Sequence, residues 1–222
     1  MHIPTIYKKN IESHQEYVDL SDDKLHHLIK VLRIANNSPV KISNGEGTLY
    51  IGTMEKNKIK ITSKETHERN NKVNIFIPVM KNKDRFRFMI EKLTELNTNS
   101  ITIGKTEYSQ KVNIKKEKIN SWVISSVEQS GTPFIPKIDI VERLDFNFFN
   151  HALDIKGKEI STNINQKNIA IGPEGGWSEA ELSKFSYTSN INEFTFRTET
   201  AAIVAVSLMV KIRLWLINLY LK

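Results

Sequence analysis

From Val73 onward the chain alternates between strand-like and helix-like stretches, and this alternation narrows the fold more than any other feature. VNIFIPVM at 73–80 is followed by RFRFMIEKLTELN at 85–97, SITIGK at 100–105 and KKEKINSWVISSVEQSG at 115–131. Gly131 is placed to stop the last of these. Further on come NIAI at 168–171, SEAELSKF at 178–185, NEFTF at 192–196 and a long apolar C-terminal stretch. Short apolar runs alternating with amphipathic ones predict a parallel sheet covered by helices. Ligands of such sheets lie beyond the carboxyl ends of the strands.

One turn falls where a ligand is expected. In NIAIGPEGGWSEAEL at 168–182 an apolar run breaks into Gly172-Pro173-Glu174-Gly175-Gly176 and resumes as a helix. Three glycines permit positive φ angles and let a ligand approach the backbone without meeting a Cβ atom. Ser178 and Glu181 have the spacing of a capping box. An ordinary strand-to-helix turn accounts for the same glycines, because such turns are common punctuation. The loop has no Gly-Lys-Ser/Thr for a triphosphate and no G-x-G-x-x-G for a pyrophosphate. Glu174 would repel phosphate and suits a ligand carrying positive charge, such as S-adenosylmethionine.

A second unusual stretch, EFTFRTETAAIVAV at 193–206, places Thr198 or Thr200 to cap the terminal helix with Arg197 and Glu199 at its mouth. Glu199 also reads as a first-turn carboxylate favoured by the helix dipole. Together the two loops read as opposite walls of one pocket.

The N-terminal third differs. PVKISN at 39–44, GTLYIGTM at 47–54 and KIKITSK at 58–64 are strand-like and separated by turn signals at Asn44-Gly45 and Lys56-Asn57. They predict a small β-barrel over about residues 3 to 70. SDDKLHHLIKVLRI at 21–34 reads as one amphipathic helix, with Ser21 as N-cap and Leu25, Leu28, Ile29 and Leu32 on one face. HERNNK at 67–72 reads as a linker.

Composition excludes several functions. The 222 residues contain no cysteine, so disulfides, thiolate metal sites and cysteine nucleophiles are absent, and a cytoplasmic setting is the simplest expectation. His26 and His27 are adjacent on a helix and cannot both face one ion, so no metal site is expected. Lys and Arg outnumber Asp and Glu by 32 to 25, a balance that a polyanionic partner or a solvated surface explains equally well. The stretch from Thr200 to Lys222 is apolar, yet Lys211 and Arg213 near its middle each cost about 2.5–3.5 kcal/mol in lipid, against about 0.3–0.6 gained per Leu, Ile or Val. A buried helix, in a core or against a second subunit, is therefore expected instead of a membrane anchor.

With IGPEGGWSEAEL at 171–182 followed by FRTETAA at 196–202, the sequence resembles the RsmE family, the 16S ribosomal RNA uridine-N3 methyltransferases of the SPOUT class. The likeness spans the chain, through VLRI at 31–34, KNKDRFRFMIEKLTEL at 81–96 and WVISSVEQSG at 122–131. It implies a PUA-like β-barrel RNA-binding domain over 1–70 and an α/β trefoil-knotted SPOUT methyltransferase domain over 71–222. It also implies a homodimer acting on ribosomal RNA in the small subunit, with S-adenosylmethionine as cofactor. The family's cofactor loops carry over to Gly172, Glu174, Gly175, Gly176, Arg197, Thr198, Glu199 and Thr200. Arg33, Lys81, Arg85 and Lys92 would face RNA. Glu199 is the expected base or cofactor organiser and Arg197 the stabiliser of charge on the base. The chain departs from the family pattern at four places: a shortened loop before Arg197, Tyr108 and Thr132 where arginines are usual, and Asn97 where glycine is usual. A SPOUT enzyme with another RNA target, or a catalytically decayed RNA-binding relative, fits the same motifs.

Overall fold

The computed structural model describes residues 3–12, 14–109, 114–160 and 167–220, with side chains described through residue 210. The chain divides into two units, one of residues 1–69 with 124–135 and one of residues 70–123 with 136–222.

The first unit holds a five-stranded sheet of β1 (Thr5–Tyr7), β2 (Tyr17–Asp19), β3 (Pro39–Ser43), β4 (Thr48–Glu55) and β5 (Lys58–Thr66), in the order β1-β3-β4-β5-β2. All its pairings are antiparallel except β1 with β3. Both turns fall at the dipeptides that signalled them. The Asn44 side chain accepts the backbone N–H groups of Glu46 and Thr48 at 2.8 and 2.9 Å, which closes the β3–β4 connection. Lys56 adopts φ 55° in the two-residue turn between β4 and β5. Apolar residues on the inner face, among them Ile6, Val18, Val40, Ile42, Met54 and Ile59, form a core with Leu28.

The single amphipathic helix expected over 21–34 is instead two pieces, α1 (Asp22–His26) and a π-helical turn over His27–Val31. Ser21 occupies the N-cap position without a side-chain hydrogen bond. The Leu32 N–H reaches back to the His27 carbonyl at 2.9 Å, one residue further than in an α-helix. That extra residue per turn rotates the later side chains off the apolar face. Leu28 is buried, whereas Ile29 and Leu32 are 37% and 43% exposed.

Residues 124–135 join this unit through specific bonds. They include the C-terminal half of helix α3 (Lys116–Ser130), which Gly131 ends at φ 71° by donating to Val127. Glu128 accepts the Tyr7 N–H at 2.8 Å and pairs with Lys24 at 3.1 Å, and the Gly47 N–H donates to the Pro133 carbonyl.

The second unit holds six strands, β6 (Asn74–Pro78), β7 (Ser100–Gly104), β8 (Lys137–Val141), β9 (His151–Glu159), β10 (Asn168–Ala170) and β11 (Tyr187–Asn190). Their order is β11-β9-β10-β6-β7-β8 and every pairing is parallel. The alternation of elements therefore predicts the sheet type correctly. Central strands are apolar on both faces, as Ile75, Phe76 and Ile77 show by being fully buried.

Helix α2 (Lys83–Glu95) follows β6 and is started by Asn82, whose side chain accepts the N–H groups of Asp84 and Arg85. It buries Phe86, Met89, Ile90 and Leu93. Its end explains one family departure. The Asn97 N–H bonds to Thr94 and the Thr98 N–H to Leu93, a Schellman arrangement that requires a left-handed residue at position 97. Asn97 has φ 58°, and asparagine is among the non-glycine residues that tolerate this region best.

One reading of the C-terminal half is corrected. NEFTF is not a strand: β11 lies earlier, at Tyr187–Asn190, and residues 191–197 leave the sheet as a loop. Its alternating phenylalanines mimic a strand face, but Phe194 is exposed. Strands β8 and β9 carry mixed burial and were not legible as strands. The short helix α4 (Glu179–Leu182) opens with the expected capping box between Ser178 and Glu181. The terminal helix α5 (Thr198–Tyr220) packs its first turns on α2 and β6 and buries Ala202, Ala205 and Val206. The charged residues Lys211 and Arg213, and all of the helix beyond residue 210 that was expected to be buried in a core or against a second subunit, lie outside the described side chains. Among the described residues no helix is long and apolar enough to cross a membrane.

Candidate functional site

The loop after β10 is a tight turn fastened from below. The Ile171 N–H donates to the Phe76 carbonyl, and the Gly176 N–H donates to the Pro173 carbonyl at 2.9 Å. Only Gly176 of the three glycines has a positive φ, at 74°. Of the two reasons for glycine in this loop, positive φ therefore applies to Gly176 alone, and space is the reason for the other two. A Cβ on Gly172 would stand 3.0 Å from the indole nitrogen of Trp177, and one on Gly175 would stand 3.1 Å from the Tyr108 Cβ. Trp177 is held in place, because its indole N–H donates to the Leu153 carbonyl at 2.9 Å and its ring packs edge-on against Phe185.

The second motif forms the facing wall. Thr198 is the first residue of α5, and its hydroxyl donates to the Gly172 carbonyl at 3.2 Å. It thus ties the two loops together instead of capping the helix. The Arg197 carbonyl accepts the Ala201 N–H, so Arg197 stands at the helix mouth, and Thr200 is exposed on its outer side.

Between the loops lies a cavity of about 510 Å³. Gly172, Glu174, Gly175, Gly176, Arg197 and Thr198 line it, whereas Glu199 and Thr200 do not. A third wall was not visible in the sequence. β9 pairs with β11 through Ala152 and resumes only at Lys158, and the bulged residues Leu153, Asp154 and Ile155 face the cavity. Phe194, 69% exposed, stands at its edge. An aromatic residue inside a motif loop was the one available signal for Phe194; no local pattern marks the bulge.

Glu199 is held from the other side. Arg85 on α2 donates through Nε to Oε1 at 2.8 Å and through Nη2 to Oε2 at 2.6 Å, a two-pronged pair, while its Nη1 lies 3.5 Å from Glu174. The Arg85 guanidinium holds the Glu199 carboxyl below the usual carboxylate range, against the opposing effect of burial. Glu199 in turn raises Arg85 further above its already high value. Arg85, expected to face RNA, is thus engaged by the carboxylates of both cofactor loops.

The other expected RNA contacts are separate. Lys92 is paired with Glu95 at 2.8 Å. Lys81 is exposed and makes no ion pair among the described residues. Arg33 belongs to the first unit, exposed directly after the π-helical turn and strained at φ 53°. Tyr108, where the family usually has arginine, is exposed and packs on Gly175.

A parallel sheet with a two-loop pocket beyond its strand ends, in a chain that also carries a small β-domain, defines an α/β protein with a site for a small ligand. Comparison with known proteins gives the family. Residues 67–210 match the RNA methyltransferase domain and residues 20–66 the RNA methyltransferase PUA domain. The chain belongs to this RNA methyltransferase family, as its motifs indicated. The ribosomal RNA small subunit methyltransferase E of Mesomycoplasma hyopneumoniae is 29% identical over 90% of this chain and 96% of its own. A predicted RNA methyltransferase of Thermotoga maritima superposes with a TM-score of 0.75 at 26% identity, covering 95% of this chain and 99% of its own. The ribosomal RNA small subunit methyltransferase E of Neisseria gonorrhoeae, solved bound to S-adenosyl methionine, shares the fold at a TM-score of 0.77 and 24% identity, covering 94% and 97%.

Proposed function

We propose that the protein transfers a methyl group from S-adenosylmethionine to N3 of a uridine in small-subunit ribosomal RNA, acting as a cytoplasmic homodimer. The observation that carries this reading is the closure of the two motif loops around one cavity, joined by Thr198 and Gly172. Its volume of about 510 Å³ falls within the usual range of small-molecule sites. Its lining fits the cofactor: apolar surface from Ile155 and Trp177 for a nucleoside, and the carboxylate of Asp154 for a cationic group. The relatives named above, aligned over nearly their whole length, support the ribosomal substrate.

When bound, S-adenosylmethionine supplies an electrophilic methyl group on a sulfonium. The residues of this chain then have to orient the uracil, accept its imide proton and balance the charge left on its carbonyls. Arg197, on the cavity wall, is assigned the charge. Glu199 is assigned the organiser's role, because a carboxylate held low by a two-pronged arginine pair is poorly matched to accepting a proton near neutral pH. Glu174 lines the cavity with a side chain 43% exposed and meets Arg85 only at 3.5 Å, which leaves it the better-placed proton acceptor of the two. Arg33 and Lys81 are assigned to the RNA backbone.

The test is nucleoside mass spectrometry of small subunits lacking the modification, incubated with protein and S-adenosylmethionine. N3-methyluridine is the expected product. Methylation at another base or at a ribose would refute the position. Cofactor binding without any methyl transfer would identify a decayed relative.

A further inference from the structure

Arg85 was expected at the RNA surface, yet its side chain is turned inward and only 29% exposed. Its guanidinium meets carboxylates from two separate segments, Glu199 at the start of α5 and Glu174 in the glycine loop. These are the same two segments that Thr198 and Gly172 join on the cavity side. The Glu199 side chain is 10% exposed, so the carboxylate end of the pair is largely withdrawn from water. A carboxylate in that position needs a partner, and removing the partner leaves a buried unpaired charge. Two cations act on Glu199, Arg85 from α2 and Arg197 from the mouth of its own helix, while Glu174 from the glycine loop faces Arg85 itself. Arg197 lines the cavity and is exposed, so Arg85 provides the paired, structured contact.

We infer that Arg85 is the positioning residue of the cofactor pocket, holding the glycine loop and the start of α5 in one geometry through Glu174 and Glu199, and is not an RNA contact. The inference rests on the proposed cofactor site. It divides the work of the two carboxylates. Glu199, gripped at 2.6 and 2.8 Å, fixes the wall; Glu174, met at 3.5 Å by one nitrogen, stays available to the ligand. The guanidinium also holds the Glu199 carboxyl below the usual carboxylate range, so the pair keeps both its charges in mild acid.

Isothermal calorimetry with S-adenosylmethionine and S-adenosylhomocysteine tests this on the full chain. Arg85→Met should weaken both ligands by about tenfold to a hundredfold at pH 7.5, the scale of lost charge-assisted hydrogen bonds. It should also introduce a pH dependence absent from the wild type, with affinity recovering toward pH 5.5 as the stranded Glu199 takes up a proton. Arg85→Met combined with Glu199→Gln should regain much of the affinity and lose that pH dependence, the non-additivity expected of a direct pair. Arg85→Lys, which keeps one charge but not the fork, should fall between wild type and Arg85→Met and serves where the methionine variant does not fold. Unchanged ligand affinity in folded Arg85→Lys and Arg85→Met, with weakened RNA binding, would overturn the inference and restore the RNA contact. Failure of the wild type to bind either ligand would instead defeat the proposed cofactor site itself.

Discussion

The Thr198 hydroxyl donates to the Gly172 carbonyl at 3.2 Å, linking residues 26 positions apart across the two facing walls of the cavity. Thr198 is almost fully buried, so its hydroxyl has little exposure to competing water. Thr198→Val preserves shape and removes the donor, leaving the Gly172 carbonyl without this partner. A loss of about 1 kcal/mol in stability is expected, with a several-fold weaker cofactor affinity. Denaturant melts together with calorimetry check it; wild-type values in both would show that the link is incidental.

The glycines of the first loop should fail for different reasons. Gly176 has open space around its missing Cβ but a positive φ, so Gly176→Ala should cost about 1–2 kcal/mol through backbone strain, with Gly176→Asn milder. A Cβ at Gly172 would stand 3.0 Å from the indole nitrogen of Trp177, so Gly172→Ala must shift a hydrogen-bonded ring and Asn offers no relief. Equal tolerance of Ala and Asn at position 176 in denaturant melts would contradict the strain argument.

Phe194 exposes most of its ring at the edge of the cavity, where a nucleoside ring has apolar surface to cover. Phe194→Trp should report ligand entry by a change in tryptophan emission on adding S-adenosylhomocysteine, and Phe194→Ala should weaken binding by about tenfold, the scale of base stacking on an aromatic ring. An unresponsive Phe194→Trp emission difference spectrum, with full affinity in Phe194→Ala, would place the ring outside the bound state.

Stability should fall with acid in two windows. His151 on β9 is buried, its Nε2 paired with the Ser189 hydroxyl at 2.9 Å and its Nδ1 without a partner among the described residues. Burial pushes its pKa below the ordinary value, so the unfolded chain takes up the proton first. Its contribution is present above about pH 6.5 and declines as pH falls below that, a slope that His151→Asn should remove. Glu199 has the opposite charge type and a lowered pKa from its pairing with Arg85. Its contribution is present above its unfolded value of about 4.3 and is lost as pH falls through the lower folded value. Urea midpoints should therefore separate wild type from Glu199→Gln at pH 6, with the gap narrowing below about pH 4. A gap independent of pH would show that the carboxylate charge is not the stabilising element.

RNA affinity should be electrostatic and should decline steeply with salt. Arg33→Ala and Lys81→Ala should each weaken binding and flatten the salt slope, whereas Lys92→Ala should do less because Lys92 already has Glu95. Filter binding of small-subunit RNA at several salt concentrations measures both. A full slope in the Arg33→Ala, Lys81→Ala double variant would move the interface elsewhere.

Much of this protein follows from local pattern. The parallel sheet is legible because strand and helix periods alternate, and the capping box at Ser178 because helix starts obey a four-residue rule. The turns at Asn44 and Lys56 are legible for the same reason, since a turn is decided by residues adjacent in sequence. The motifs gave the family, and with it two of the cavity's three walls. Tertiary structure decided the rest. The π-helical turn breaks a helix that propensity alone would continue, and the strand-like NEFTF becomes a loop because β9 already pairs with Tyr187–Asn190. The bulge that brings Leu153, Asp154 and Ile155 to the cavity exists only as an offset between two strands. Arg85 looked like a surface cation because a basic residue beside Arg87 and Lys83 on a polar helix stretch carries no mark of its partner. Glu199 lies 114 residues away, and only the folding of α2 against α5 brings the carboxylate to the guanidinium.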